Sequence, residues 1–390
     1  MIRSVSTLLQ SLLRLLSEYT SGPVAAILVL LPLFSCQRDH LYFASSNTAT
    51  VLVEPDWSSS AVHPNGVTVY AYRESDGSLY KRFPPVSADQ KCYIKLPQGD
   101  FTLVVMNDTP EEFKGRIDFR GEQNLSTFQA RGVKDESRSQ KLNEHLKAQA
   151  EARAASESEG TAASESEGTA ASASGSAAPV SKSEDEEYCI VEPDTLAMSV
   201  IRGLHISPEQ IDYYYDRPEY DLSQESATVV PVSMKPVVSK VNIKAHVKGL
   251  KYARGTTLSF LRGVAAGYDI STQTNSTDRA AHAFVLNNRK FDAGSDSDGT
   301  ITASFLSFGL VGDGTMDSRY YLDINFVLIN GEPYPLTFDV TELISVDVSL
   351  YLTLNLDLEI VLPEVVGEEG GGGFNTDVSE WEDEVVDIPI

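Results

Sequence analysis

The sequence predicts an all-β protein made of two tandem antiparallel β-sandwiches. Residues 41–132 hold short β-branched runs separated by Gly, Pro, Asn and Asp clusters, the punctuation of a strand-rich domain. The same pattern restarts after residue 226 and continues to 363. Between the two blocks lies a stretch too polar and too repetitive to bury a core.

Residues 1–35 are expected to be a leader. Arg3 and Arg14 give a positive n-region, Val24 to Phe34 an apolar h-region, and Leu33-Phe34-Ser35-Cys36 reads as a bacterial lipoprotein processing site. The apolar run falls short of the ~20 residues a membrane-spanning helix needs. Cys36 would become the first residue of the mature chain and carry the lipid, with 36–40 as the attached N-terminus. The other reading is an ordinary cleaved leader with an incidental cysteine. The leader is long and carries Glu18, an arrangement expected if translation begins downstream of Met1.

In the first block, Thr48 to Val53 is apolar and β-branched, and Val67 to Tyr72 alternates. The turn cluster Glu74 to Ser78 precedes Leu79 to Phe83, and Pro97-Gln98-Gly99-Asp100 joins Cys92–Leu96 to Phe101–Met106. Evenly spaced short strands of this kind predict a sandwich over 41–132.

Residues 133–187 are expected to be a disordered low-complexity insertion. Ala154 to Thr161 recurs unchanged as Ala162 to Thr169. Ahead of the repeat, good helix formers offer only Leu142 and Leu146 for packing, which predicts a frayed, solvent-exposed helix. Residues 188–226 are expected to return the chain to the first sandwich and link it to the second. There Glu192-Pro193-Asp194-Thr195 reads as a cap before Leu196 to Ile201.

The second sandwich is expected over 227–363. Val237, Ser239, Val241, Ile243, Ala245 and Val247 fall on one face of a period-2 strand. Further runs are Thr257–Leu261, Ala281–Leu286, Thr300–Phe308, Tyr320–Ile329 before the turn Asn330-Gly331, Pro335–Val340 and Leu350–Leu362. Residues 364–390 form a Gly-rich acidic tail, in which Phe374, Val378 and Trp381 are expected to dock on a sandwich, the other reading being a disordered tail.

The formal charge is −25, and removing the leader, with Arg3 and Arg14 against Glu18, leaves −26 on the mature chain. Phosphate backbones repel such a surface, so nucleic acid is excluded as a partner. Cys92 and Cys189 either pair across the insertion or sit as small apolar residues in a core. The six histidines form no His-Glu-x-x-His, and there is no paired Cys-x-x-Cys, phosphate loop, dinucleotide fingerprint or Gly-x-Ser-x-Gly elbow. No cofactor, metal or catalytic residue is therefore nominated, and the chain is read as a non-enzyme. Asp292 to Gly299 resembles the start of a calcium loop, but its spacing is wrong and no glutamate closes it; a polar hairpin accounts for the same residues.

Several motifs together resemble one family: the lipobox cysteine, Val53-Glu54-Pro55-Asp56-Trp57, Asn65-Gly66-Val67-Thr68-Val69-Tyr70, Leu96-Pro97-Gln98-Gly99-Asp100-Phe101 running to Met106-Asn107-Asp108, Phe338-Asp339-Val340-Thr341, and the Phe374 to Trp381 tail. The chain is similar to the Bacteroidetes fimbrillin-like lipoproteins, in particular a branch with two tandem transthyretin-like β-sandwiches. That resemblance implies an outer-membrane, cell-surface lipoprotein held by Cys36 and serving as a pilus anchor, accessory or adhesive subunit. Its implied partners are the membrane and other fimbrial subunits, joined by strand exchange. The alternative is a stand-alone surface lipoprotein that binds glycans or another ligand through aromatics such as Tyr213, Tyr214, Tyr215, Trp57 or Trp381. Trp57, Gly66, Pro97, Gly99, Phe374 and Trp381 are assigned structural roles, Gly99 through a positive φ.

Overall fold

A computed structural model describes residues 48–60, 62, 64–88, 90–159, 187–211, 227–312, 318–347 and 353–366. The leader, Cys36, the repeats from Gly160 onward, Tyr213 to Tyr215, and Phe374 to Trp381 lie outside them.

The first strands are β1 (Thr48–Asp56), β2 (Gly66–Arg73), β3 (Leu79–Arg82), β4 (Val86–Ser87), β5 (Cys92–Pro97) and β6 (Gly99–Asn107). Then come β7 (Ile117–Arg120), β8 (Gln129–Gly132), β9 (Lys134–Asp135), helix α1 (Glu136–Glu159), β10 (Cys189–Ile190), β11 (Ala197–Ile206), β12 (Thr228–Ser233) and β13 (Lys235–Pro236). The remainder is β14 (Ser239–Lys248), β15 (Ala253–Thr256), β16 (Ser259–Ala265), β17 (Gly267–Asp269), β18 (Thr274–Asn275), β19 (Arg279–Phe284), β20 (Asn288–Phe291), β21 (Gly299–Ser307), β22 (Tyr321–Leu328), β23 (Pro333–Asp339), β24 (Ile344–Asp347) and β25 (Thr353–Val361).

The described strands form five sheets. Sheet I is β12-β1-β5; sheet II is β13-β11-β6-β2-β3, with β4 on β2. Alternation in β1, β2, β5 and β6 turns Val51, Val53, Val67, Val69, Ile94, Leu96, Leu103 and Val105 into one core between these two sheets. Sheet III is β15-β22-β16-β19-β10-β9, with β23 on β22, and sheet IV is β20-β21-β14-β25-β24. The face of β14 expected to be inward is buried throughout, from Ser239 to Val247. Sheet V, β18-β17-β8-β7, draws strands from both blocks of sequence.

Pairings between strands close in sequence are antiparallel, as expected. Three pairings are parallel: β1 with β12, β14 with β25, and β10 with β19. Parallel neighbours need a long crossover, and here the crossovers are whole blocks of the chain. Strand β12 pairs with β1 although the sequence pattern places it in the second sandwich. Its alternating Val230 and Val232 fill the first core, which corrects the boundary expected at residue 227.

Two other expectations are corrected. The segment after Thr195 is a long strand, not a capped helix. Its opening is fixed by Asn107, whose side-chain N–H donates to the Thr195 carbonyl at 3.1 Å and whose Oδ1 accepts from the Ala197 amide at 2.8 Å. Helix α1 is not wholly solvated or disordered over its described length, because Leu142 is 0% exposed against Cys189, Phe260, Ala281 and Ala283. Sequence periodicity cannot show this contact, since most of its receiving surface, Phe260, Ala281 and Ala283, lies more than 100 residues away.

Beside the core between sheets I and II, a second interior joins the two halves. One apolar core runs from Tyr70, Tyr72, Val104, Met106 and Met198 on the outward face of sheet II, past Phe128 and Ala130, into the space between sheets III and IV.

Within that space, His282 on β19 lies against Phe305 with ring centroids 5.5 Å apart, and its Nε2 has no hydrogen-bond partner among the described residues. Burial, helped by Arg138, pushes its pKa down to about 3. Below about pH 6.5 the unfolded chain takes up this proton while the folded chain resists it, so stability falls with pH through that window. Between pH 6.5 and 5, His282→Phe should flatten the pH dependence of urea unfolding, by about 0.7 kcal/mol per pH unit at pH 6.5 rising to about 1.3 at pH 5. Equal slopes in the two proteins would remove this role from His282.

Candidate functional site

The densest polar constellation lies where α1 crosses sheet III. Alternation along β16, β22 and β23 brings Arg262, Asp323 and Thr337 together: Arg262 is two residues along β16 from the Phe260↔Asp323 pair and so on the same face, and Asp323 is opposite Thr337. Arg262 Nε donates to Asp323 Oδ2 at 2.6 Å, with side-chain exposures of 8% and 0%. The same guanidinium reaches both Glu187 oxygens at 3.2 Å and lies 4.9 Å from the centre of the Tyr321 ring.

Thr337 Oγ1 donates to Asp323 Oδ1 at 2.6 Å. From above, α1 supplies His145 and Gln149, one turn apart and so on one face of the helix. Gln149 Nε2 donates to Thr337 Oγ1 at 2.8 Å and lies 2.7 Å from His145 Nε2 and 3.4 Å from Asp323 Oδ1. Because the amide nitrogen is a donor, the facing imidazole nitrogen carries the lone pair. Burial alone would raise the Asp323 pKa; the charge of Arg262 and hydrogen bonds from Thr337 and Arg262 outweigh it and hold the carboxyl below its ordinary range. Burial likewise opposes the charge on Arg262, but Asp323 and Glu187 raise its pKa overall.

The entry and return of the insertion are also fastened. The Asp135 carboxylate caps α1 by accepting from the Arg138 amide at 2.9 Å, and Ser139 Oγ accepts from the Cys189 amide at 2.9 Å. Leu142 and Leu146 close the apolar side over Phe260 and Leu258, and the His145 ring lies tilted against Phe260 with centroids 5.6 Å apart. The sequence reading missed this site because its members are spread from residue 145 to residue 337. Only the His145/Gln149 spacing was a local signal.

Among the residues assigned structural roles, Trp57 lies partly buried against the first core. The Gly66 and Asn65 amides donate to Asp108 Oδ1 at 3.0 and 2.8 Å, so two of the motifs that carry the family resemblance meet at one corner. Pro97 ends β5 opposite Thr48, and Gly99 opens β6 at φ +140. Cys92 and Cys189 are free and buried in different clusters, with thiols pushed by burial up to about 11 and about 12. Asp292 to Asp298 forms the hairpin between β20 and β21, and no described cluster of His, Cys, Asp and Glu could hold a metal ion.

A family profile described as "Domain of unknown function (DUF5119)" matches residues 35–165. No curated protein matches the chain. Among solved structures, it is similar to a candidate adhesin from Bacteroides ovatus at 18% identity and a TM-score of 0.49, covering 84% of this chain and 97% of that one. It is also similar to the fimbrial anchor protein Mfa2 from Porphyromonas gingivalis at 12% identity and a TM-score of 0.42, with coverages of 80% and 90%. The tip fimbrial protein Mfa3 of the same organism aligns at 8% identity and a TM-score of 0.32, over 74% of this chain and 81% of that one. These neighbours are fimbrial and adhesin-class proteins of Bacteroidetes, the class that the sequence motifs resemble.

Breaking the ion pair from one side should be costly, because it strands the other charge in the interior. Asp323→Ala is expected to lower the unfolding free energy by about 3–5 kcal/mol in urea titration, and Arg262→Met combined with Asp323→Leu to recover most of it. A loss under about 1 kcal/mol in the single variant would show that water reaches the pair.

Proposed function

We propose that this chain is a non-enzymatic outer-membrane lipoprotein of the fimbrillin-like class, displayed at the cell surface as a pilus anchor, accessory or adhesive subunit. The observation that carries this reading is the placement of the lipid-attachment motif. Cys36 stands twelve residues ahead of Thr48, where β1 begins. β1 is paired on both flanks, antiparallel to β5 and parallel to β12. Tension applied between a lipid at Cys36 and the body of the protein would act along β1 and shear both ladders together, a geometry suited to an anchor. Twelve residues also limit the reach of the tether to about 40 Å.

Assembly by strand addition needs a lateral strand with backbone groups to share. β20, exposed at all four residues and paired with β21, is a strand of that kind. In this reading an extended segment of a neighbouring subunit extends such an edge.

A stand-alone glycan-binding lipoprotein is favoured by one feature, a polar cleft of about 670 Å³ lined by Arg73, Glu74, Thr102, Asn124, Arg202 and Ser271 among others. A β-bulge between Ile201 and Leu204, with Gly203 at φ +71, turns Arg202 toward the Ser271 carbonyl. Glu74 accepts from Thr102 Oγ1 at 3.1 Å and from the Gly203 amide, so the cleft offers donors and acceptors in balance.

In envelope fractions, Cys36→Ala should lose lipid label and move the protein from the membrane to the soluble fraction; unchanged membrane retention would defeat the anchor. Wild-type envelopes run unboiled should show a detergent-resistant ladder that collapses on boiling, whereas a single monomeric band would favour the stand-alone reading. For that second reading, glycan-array binding should fall at least about tenfold in Arg73→Ala/Arg202→Ala. A blank wild-type array would dismiss it.

A further inference from the structure

We propose that Thr337 and Gln149 join in an intramolecular ester that fastens α1 covalently to sheet III. The parts of an acyl transfer are gathered at one point. The nucleophile is the Thr337 hydroxyl, hydrogen-bonded to Asp323 Oδ1 at 2.6 Å. The electrophile is the carboxamide of Gln149, whose nitrogen lies 2.8 Å from that hydroxyl oxygen. Beside the leaving nitrogen, at 2.7 Å, stands His145 Nε2 with its lone pair toward it. Arg262 holds the second Asp323 oxygen and leaves Oδ1 to the hydroxyl.

A positioned hydroxyl, a base within hydrogen-bond reach and a group able to return the proton to the leaving atom are what nucleophilic acyl transfer requires. Packing by Leu142 and Leu146 holds α1 on the sheet with the Gln149 carboxamide nitrogen against the Thr337 hydroxyl, so that a turn of that one side chain presents Cδ and the encounter becomes a unimolecular step.

The step balances without a co-reactant. Thr337 Oγ1 attacks Gln149 Cδ, and its proton passes to Asp323 Oδ1. His145 Nε2, 3.8 Å from that oxygen, takes the proton and delivers it to the departing nitrogen. The Cδ–Nε2 bond breaks, ammonia leaves, and an Oγ1–Cδ ester remains. Nothing is oxidised or reduced, and Asp323 and His145 end as they began. Thr337 is the reacting residue; Arg262 is a positioning residue that acts through Asp323.

The bond would close a loop between positions 188 residues apart and fix the root of the insertion to the sheet. A load reaching the insertion would then meet a covalent bond before the helix could peel away. This holds whether or not the chain is a pilus subunit.

Peptide mapping of the full chain purified from envelopes tests it. The expected result is a linked peptide pair joining positions 149 and 337, lighter by one ammonia (about 17 Da) and cleaved by hydroxylamine. Thr337→Ala and Gln149→Glu should abolish the link, with Gln149→Glu preserving shape. Thr337→Ser should retain it, and His145→Ala should slow its appearance in freshly made protein at least about tenfold. Peptides carrying unlinked Thr337 and Gln149 at full mass in the wild type would overturn the proposal. So would ammonia loss that maps to the Asn65-Gly66 or Asn330-Gly331 turns, or a link that persists in Gln149→Glu.

Discussion

Parallel pairing of strands far apart in sequence is the constraint on which this architecture depends. β1 meets β12 from Val51↔Thr228 to Asp56↔Ser233, and β14 meets β25 from Lys240↔Thr353 to Lys248↔Val361. Neither ladder can form until the intervening chain has folded back, so each is a long-range closure that pays its loop entropy before it gains hydrogen bonds. Everything between the paired strands must leave a sheet and return to it. The chain from β7 to β11 does so by crossing to sheets V and III and coming back to sheet II. The continuous core from Tyr70 and Tyr72 to the interior of sheets III and IV is the consequence.

The same requirement shapes the insertion. A polar segment can be added to a closed fold at small entropic cost if its ends lie close together. Here α1 departs beside β9, and β10 returns antiparallel to β9, with Cys189 opposite Asp135. Glu187 then reaches the guanidinium that also grips Asp323. One buried arginine thus ties the returning end of the insertion to the sheet, and its partner Asp323 meets Gln149 of the helix. A buried ion pair gains little net stability over a well-packed apolar pair, but loss of either partner is expensive. Its effect here is to fix where the helix sits, and a helix with two leucines on its inner face needs that help.

The strands were legible because alternation is written locally. Val67–Tyr72, Cys92–Leu96 and the inward face of β14 follow from the two-residue period of an extended chain and from turn residues at their ends. Gly99 was legible for a similar reason, as a turn glycine whose φ of +140 a side chain would resist. The segment at Ala197 was misread because a Pro-Asp-Thr cap signal and a strand opening look alike until Asn107 takes up the backbone groups. Burial of Leu142 was invisible because two leucines in a charged helix carry no face of their own.

The sequence by itself determined the all-β class, most strand positions, and the absence of any compact catalytic motif, since each depends on neighbours a few residues apart. Tertiary structure alone decided which strands are parallel, that β12 closes the first core, and that His145, Gln149, Asp323 and Thr337 meet. Those contacts span up to 188 residues, and the pairing of distant strands leaves no periodic trace along the chain. Sheet register, a property of the folded backbone, sets Asp323 opposite Thr337, and packing of α1 over Phe260 sets Gln149 above both.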